Sequence, residues 1–86
     1  MKEIIRFTAD WCGPCRMYKP TWEEVVNENS DKYKFIVVDI DNDTTGLAAK
    51  FQIRSVPSTV VVETDGSWRK ETGNISTSKL LNLIKG

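Results

Sequence analysis

Cys12 and Cys15 are the only two cysteines in the chain, and two residues separate them. That spacing lets the first turn of a helix bring both sulfurs within bonding distance, so the pair can close into a disulfide and reopen. Closing so short a loop removes little entropy from the unfolded chain. The pair is therefore a poor staple and a good reversible switch. At a helix start, Cys12 would face unpaired N–H groups and the positive end of the helix dipole, both of which favour a thiolate. Cys15, a turn further in, should be less exposed and more protonated. The chemistry this implies is thiol–disulfide exchange, in which Cys12 attacks a substrate disulfide and Cys15 resolves the mixed disulfide.

The chain contains no histidine, which excludes Cys–His nucleophilic pairs, His-ligated metals and His bases. Two thiolates alone make half a tetrahedral ligand set, so zinc or an iron–sulfur cluster would require a dimer. No metal and no bound cofactor is expected. Asp39, Asp41 and Asp43 invite a calcium-loop reading, but the glycine and glutamate such a loop needs are missing, and capping is the expected role.

With 86 residues, a single domain spanning 1–86 is expected. Twelve basic and twelve acidic residues are spread evenly and give zero formal net charge. This pattern offers no footprint for nucleic acid and no acidic arm. The opening Met1–Arg6 is too short and too charged for a signal peptide, and no apolar run is long enough for a membrane span. A monomer in the cytoplasm is the expectation, where a lone Cys pair is more often catalytic or metal-binding than structural.

The elements that must position the pair follow from apolar patterning. Ile4, Ile5 and Phe7 form a first strand that runs into the cysteine turn. Pro14 suits a first helical turn. Met17, Tyr18, Trp22, Val25 and Val26 recur at helical spacing, predicting a helix over 12–29 with that face buried and a kink at Pro20. Phe35–Val38 reads as a strand covered on both faces. Asp43 or Thr44 should cap a short helix through Phe51. Thr59–Glu63 and Trp68–Thr72 read as strands joined by a two-residue Asp65–Gly66 turn. Ser76 should cap a last helix, with Ile75 stapled to Leu80. The order βαβαββα predicts an α/β fold: a four-stranded mixed sheet, order 2-1-3-4, with three helices. The cysteine turn then lies where a strand's carboxyl end meets a helix's amino end.

Trp11-Cys12-Gly13-Pro14-Cys15-Arg16-Met17, preceded by Phe7-Thr8-Ala9 and followed by Pro20, resembles the active site of the thioredoxin family. Leu47–Phe51 and Ile53-Arg54-Ser55-Val56-Pro57 resemble its second signature, and the likeness runs on through Asp65–Gly66 to Gly73. Thioredoxin is itself the standard case of a thiol acidified at a helix start. The resemblance implies a thioredoxin-like core and reduction of protein disulfides, with electrons supplied by an external thioredoxin reductase or similar donor. It implies that Pro57 is cis and lies beside the cysteines, and that Val56 pairs its backbone with a bound peptide. Trp11, Ser55 and Gly73 would then border the groove, with Gly13 and Pro14 supporting the active-site turn.

The sequence departs from the family in two ways. The family's leading strand and helix have no counterpart, leaving a glutaredoxin-sized domain with one sheet face less covered. Thioredoxins also carry a buried aspartate six residues before the first cysteine, where this chain has Arg6, and Val37 replaces its lysine partner. Arg6 either snorkels to water or lies near Cys15 and favours its thiolate by charge. Two other functions remain open at this point: a glutathione-dependent, glutaredoxin-like carrier, and a non-catalytic binding subunit built on the same fold.

Overall fold

The computed structural model describes residues 1–86, and β1 (Glu3–Thr8) runs through its centre. On one side β1 pairs in parallel with β2 (Lys34–Asp39); on the other it pairs antiparallel with β3 (Ser58–Val62), which carries antiparallel β4 (Trp68–Thr72). The strand order is β2-β1-β3-β4, with helices α1 (Gly13–Asn29), α2 (Leu47–Lys50) and α3 (Thr77–Lys85). This is the expected βαβαββα architecture.

Side chains alternate across β1 because successive Cβ atoms point to opposite faces. Ile4 joins Tyr18, Trp22, Val25, Val61, Leu80 and Ile84 in one core cluster. Ile5 and Phe7 face the other way and join Val38, Phe51 and Val60, with Leu47 and Ala48 of α2 packed against them. Arg6 shares the Ile4 face, between Val37 and Thr59 in register. The row of side chains that ought to be apolar throughout thus has a guanidinium in its middle.

Four local expectations need correction. Met17 is 68% exposed, because the buried stripe of α1 is Cys15, Tyr18, Trp22 and Val25, and residue 17 falls off its edge. β2 is an edge strand whose cover is incomplete on one face: Ile36 and Val38 pack with the Phe51 cluster and Phe35 with the Trp22 cluster, but Val37, on the Phe35 face, is 52% exposed. Its β-branched run expresses strand propensity, which does not by itself fix burial. The β3–β4 connection is a three-residue loop, Thr64–Gly66. Only Gly66 takes positive φ, the Gly66 N–H bonds the Glu63 carbonyl, and the Glu63 N–H bonds the Ser67 carbonyl. Finally, Gly46 in left-handed conformation occupies the N-cap of α2. Asp43 still serves this helix start from three residues upstream, accepting from the N–H groups of Thr45, Gly46 and Ala48. A single 3-10 turn, Ile40–Asn42, was not foreseen.

The last helix is held at both ends. Ser76 accepts from the Lys79 N–H at its start, and Ile75 lies in the same core as Leu80. At its end, Lys2 and Arg69 donate to the Leu83 and Ile84 carbonyls, which a helix leaves unpaired. Glu63 bridges the two cations.

Three surface carboxylates are held below their ordinary pKa: Glu63 chiefly by Arg69, Asp43 chiefly by the Thr45 hydroxyl, and Asp65 chiefly by the Ser67 hydroxyl. A carboxylate whose folded pKa is depressed contributes stability that is present above its unfolded pKa and lost as pH falls through the folded one. Urea midpoints should therefore hold steady from neutrality down to about pH 4.5 and fall below it. In Asp43→Asn, whose side chain cannot titrate, the fall should be shallower. An equal slope in both proteins would show that Asp43 carries none of it.

Candidate active site

The chain leaves β1 at Thr8 and turns into α1 through Ala9–Cys12, closed by a Cys12 N–H bond to the Ala9 carbonyl of 3.2 Å. Cys12 is the N-cap of α1, with extended φ/ψ of −93° and 107°, and Pro14 follows in the first turn, where its missing N–H has no consequence. The Cys12 Sγ accepts the Cys15 N–H at 3.1 Å. A sulfur here receives one of the four N–H groups that a helix start leaves without partners, and any negative charge on it is stabilised by the helix dipole. Cys12 and Cys15 form a disulfide with their Cα atoms 5.2 Å apart, and they are only 4% and 2% exposed. Gly13 and Pro14 complete the turn between them.

The segment before β3 forms the wall facing the disulfide. The Val56 carbonyl lies 3.5 Å from the Cys12 Sγ, and Val56 packs on the small cluster of Ala9, Cys12 and Cys15. As a disulfide the sulfur has no proton to donate, so in this state the approach is a contact. The Val56–Pro57 peptide is cis. The Pro57 carbonyl accepts the Gly73 N–H at 2.7 Å, which brings Gly73 to the same end of the sheet. Ser55 is exposed, and its carbonyl takes the Ser58 hydroxyl.

Trp11 stands beside the turn, 67% exposed, with its indole N–H donated to Asp41 at 2.8 Å. Sequence reasoning missed Asp41 as a site residue. Of the three acidic residues read as caps, Asp39 (to the Asp41 N–H) and Asp43 do cap backbone. Asp41 instead anchors Trp11 beside the cysteine turn. Trp22 is buried, and Trp68 packs edge-on against Phe51 with ring centroids 5.0 Å apart, so both serve packing.

Arg6 is buried along most of its length. It is 7% exposed, its Nε is buried without a hydrogen-bond partner, and none of the three salt bridges involves it, while its two terminal nitrogens keep what contact with solvent the residue has. Its guanidinium lies over the Trp22 ring, 5.6 Å from the centroid. The nearby Tyr18 hydroxyl bonds Thr59 instead. Burial lowers the Arg6 pKa from its ordinary value, opposed by Tyr18 and Glu23. A cation–π contact is worth about 0.5–2 kcal/mol, whereas a buried charge without a partner costs several. The second effect wins. Arg6→Met, which keeps the stem and removes the charge, should stabilise the protein by about 1 kcal/mol in buffer free of phosphate and carboxylates. Urea unfolding with a lower midpoint for the variant would contradict this balance.

The arrangement can do one kind of chemistry well. A dithiol at a helix start, closed into a disulfide against a backbone carbonyl, can carry two electrons. The sequence model of the Thioredoxin family matches residues 1–86. A thioredoxin from Mycoplasmoides gallisepticum is 32% identical over 84 residues, covering 98% of this chain and 82% of its own. Thioredoxin 1 of Synechococcus elongatus is 38% identical over 83 residues, covering 94% and 75%. The structure of Fasciola hepatica thioredoxin superposes with a TM-score of 0.85 at 28% identity, covering 98% of this chain and 78% of that one. Fold, cysteine geometry and relatives agree that the chain belongs to the thioredoxin family and is a dithiol thiol–disulfide oxidoreductase.

Proposed function

We propose that the protein reduces disulfides of other proteins, with Cys12 as nucleophile and Cys15 as resolving thiol. The observation that carries this reading is the Cys12 sulfur at the head of α1, receiving the Cys15 N–H at 3.1 Å. In the reduced protein, the Cys12 thiolate attacks one sulfur of a substrate disulfide. The substrate's S–S bond breaks, its leaving thiolate takes a proton, and a mixed disulfide with Cys12 remains. Cys15 then loses its proton and attacks the Cys12 Sγ, releasing the second substrate thiolate. Two electrons and two protons have passed to the substrate, and the protein is left with the Cys12–Cys15 bond.

Trp11, Ser55, Val56, Pro57 and Gly73 form the substrate groove, the exposed backbone beside Val56 pairing with an extended peptide segment. Gly13 and Pro14 hold the turn. Arg6 and Cys15 line one cavity, and in the reduced state the cation favours a Cys15 thiolate, standing where a base would otherwise act. An external reductase of the thioredoxin reductase type returns the two electrons by attack on the oxidised protein. No helix of the chain is long and apolar enough to cross a membrane, which is compatible with work in the cytoplasm.

Insulin-disulfide reduction tests the assignment, run with NADPH and thioredoxin reductase in one arm and glutathione with glutathione reductase in the other. Turnover is expected in the first arm. Activity only with glutathione would replace the donor, and no activity in either would remove the reductase assignment.

A further inference from the structure

Arg6 lines a cavity of about 270 Å³ beside the disulfide, together with Thr8, Asp10, Cys15, Arg16 and Lys19. Three of these side chains are cationic and one is a carboxylate. Arg16 spends one donor on the Asp10 carbonyl, at 2.8 Å. Arg6 makes no hydrogen bond and no salt bridge: the residue is 7% exposed, its Nε is sealed from solvent, and its two terminal nitrogens are the donors left open to a solute. Buried polar groups almost always find partners, and a buried cation needs one more than most. A second cavity also touches Arg6, but Trp22, Val26 and Val37 share its lining and Glu23 is its only other charge. The cavity against Cys15 is the one where positive charge gathers.

We propose that this cavity is a binding site for a small oxyanion, a carboxylate or phosphate group, held by Arg6 with Arg16 and Lys19 and shared on one side by Cys15. A planar guanidinium matches two oxygens of such a group at once. Arg16 and Lys19 are exposed and contribute mainly attraction at the mouth. The Thr8 residue at the end of β1 closes the cavity from the strand side. In the oxidised protein neither sulfur carries charge, so the solute oxyanion has the site to itself. In the reduced protein a Cys15 thiolate competes for the same cation. This last expectation rests on the resolving role proposed above, whereas binding to the oxidised protein does not.

Inorganic phosphate and acetate, titrated separately into the oxidised full chain at fixed ionic strength, are the probes, with backbone amide shifts as the readout. Saturable shifts are expected at Thr8, Asp10, Cys15 and Arg16, with a dissociation constant of about 1–10 mM. Arg6→Met should weaken binding roughly tenfold or more, and Lys19→Gln, an exposed change that leaves the core intact, roughly two- to fivefold. Lys34→Gln, on the far edge strand, should change nothing. Response to phosphate alone would restrict the ligand to phosphate groups, and response to both would support the shared chemistry. Linear shifts, or shifts unaltered by Arg6→Met, would overturn the site. Equal affinity of the oxidised and reduced proteins would overturn the sharing with Cys15.

Discussion

Cys15→Ser should stop the reaction halfway. The Cys12 thiolate still attacks, but no second thiol is present to break the bond it forms, so substrate stays covalently attached. A stoichiometric adduct, released by added dithiothreitol, should be visible by intact mass. Cys12→Ser removes the nucleophile itself, and insulin reduction should drop by roughly 10³-fold or more. The asymmetry between the variants is the informative part. Trapping by Cys12→Ser and not by Cys15→Ser would exchange the two roles. The helix geometry argues for the order given, since only the Cys12 sulfur sits at the N-cap and accepts a main-chain N–H.

The largest expected loss of stability lies far from the disulfide. Leu80 is fully buried in α3 and packs in the core beneath α1. Truncating a buried leucine costs about 2–5 kcal/mol, through lost transfer energy and the cavity left behind. A chain of 86 residues has roughly 4–13 kcal/mol in total, so Leu80→Ala should lower the thermal midpoint by roughly 10–25 °C. The capping bonds from Ser76, Lys2 and Arg69 cannot compensate, because they fix the helix ends without filling the space. A shift of only a few degrees would mean that α3 collapses onto the vacancy.

These two results concern parts of the molecule that the sequence reveals unequally. The cysteine turn was legible because its chemistry is local: a spacing of two residues, a proline for the first turn and a strand running into it. The wall formed by Val56 and Pro57 came from resemblance to a family signature, and nothing in those residues alone would have placed them beside Cys12. Asp41 was invisible as the anchor of Trp11, since that bond joins residues thirty positions apart. Met17 and Val37 misled for a common reason. An apolar side chain fits a periodic pattern whether or not something covers it, and the edge of α1 and of the sheet left both outside. For Arg6, the charge suggested exposure, but its place in register between Val37 and Thr59, facing α1, buried it anyway.

The central position of β1 has a consequence for the order in which the protein can be assembled. The strand carrying Ile4, Ile5 and Phe7 leaves the ribosome ahead of everything it pairs with. Its second neighbour, β3, is not available until Ser58–Val62 has been made. Until then β1 has at most one ladder and an open flank, and pairings between distant segments form slowly. The sheet therefore closes only after β3 has been made, and the disulfide turn gains its opposing wall in the same event. Once closed, β1 is enclosed by strands on both sides. Its amides should be among the slowest in the molecule to exchange with solvent.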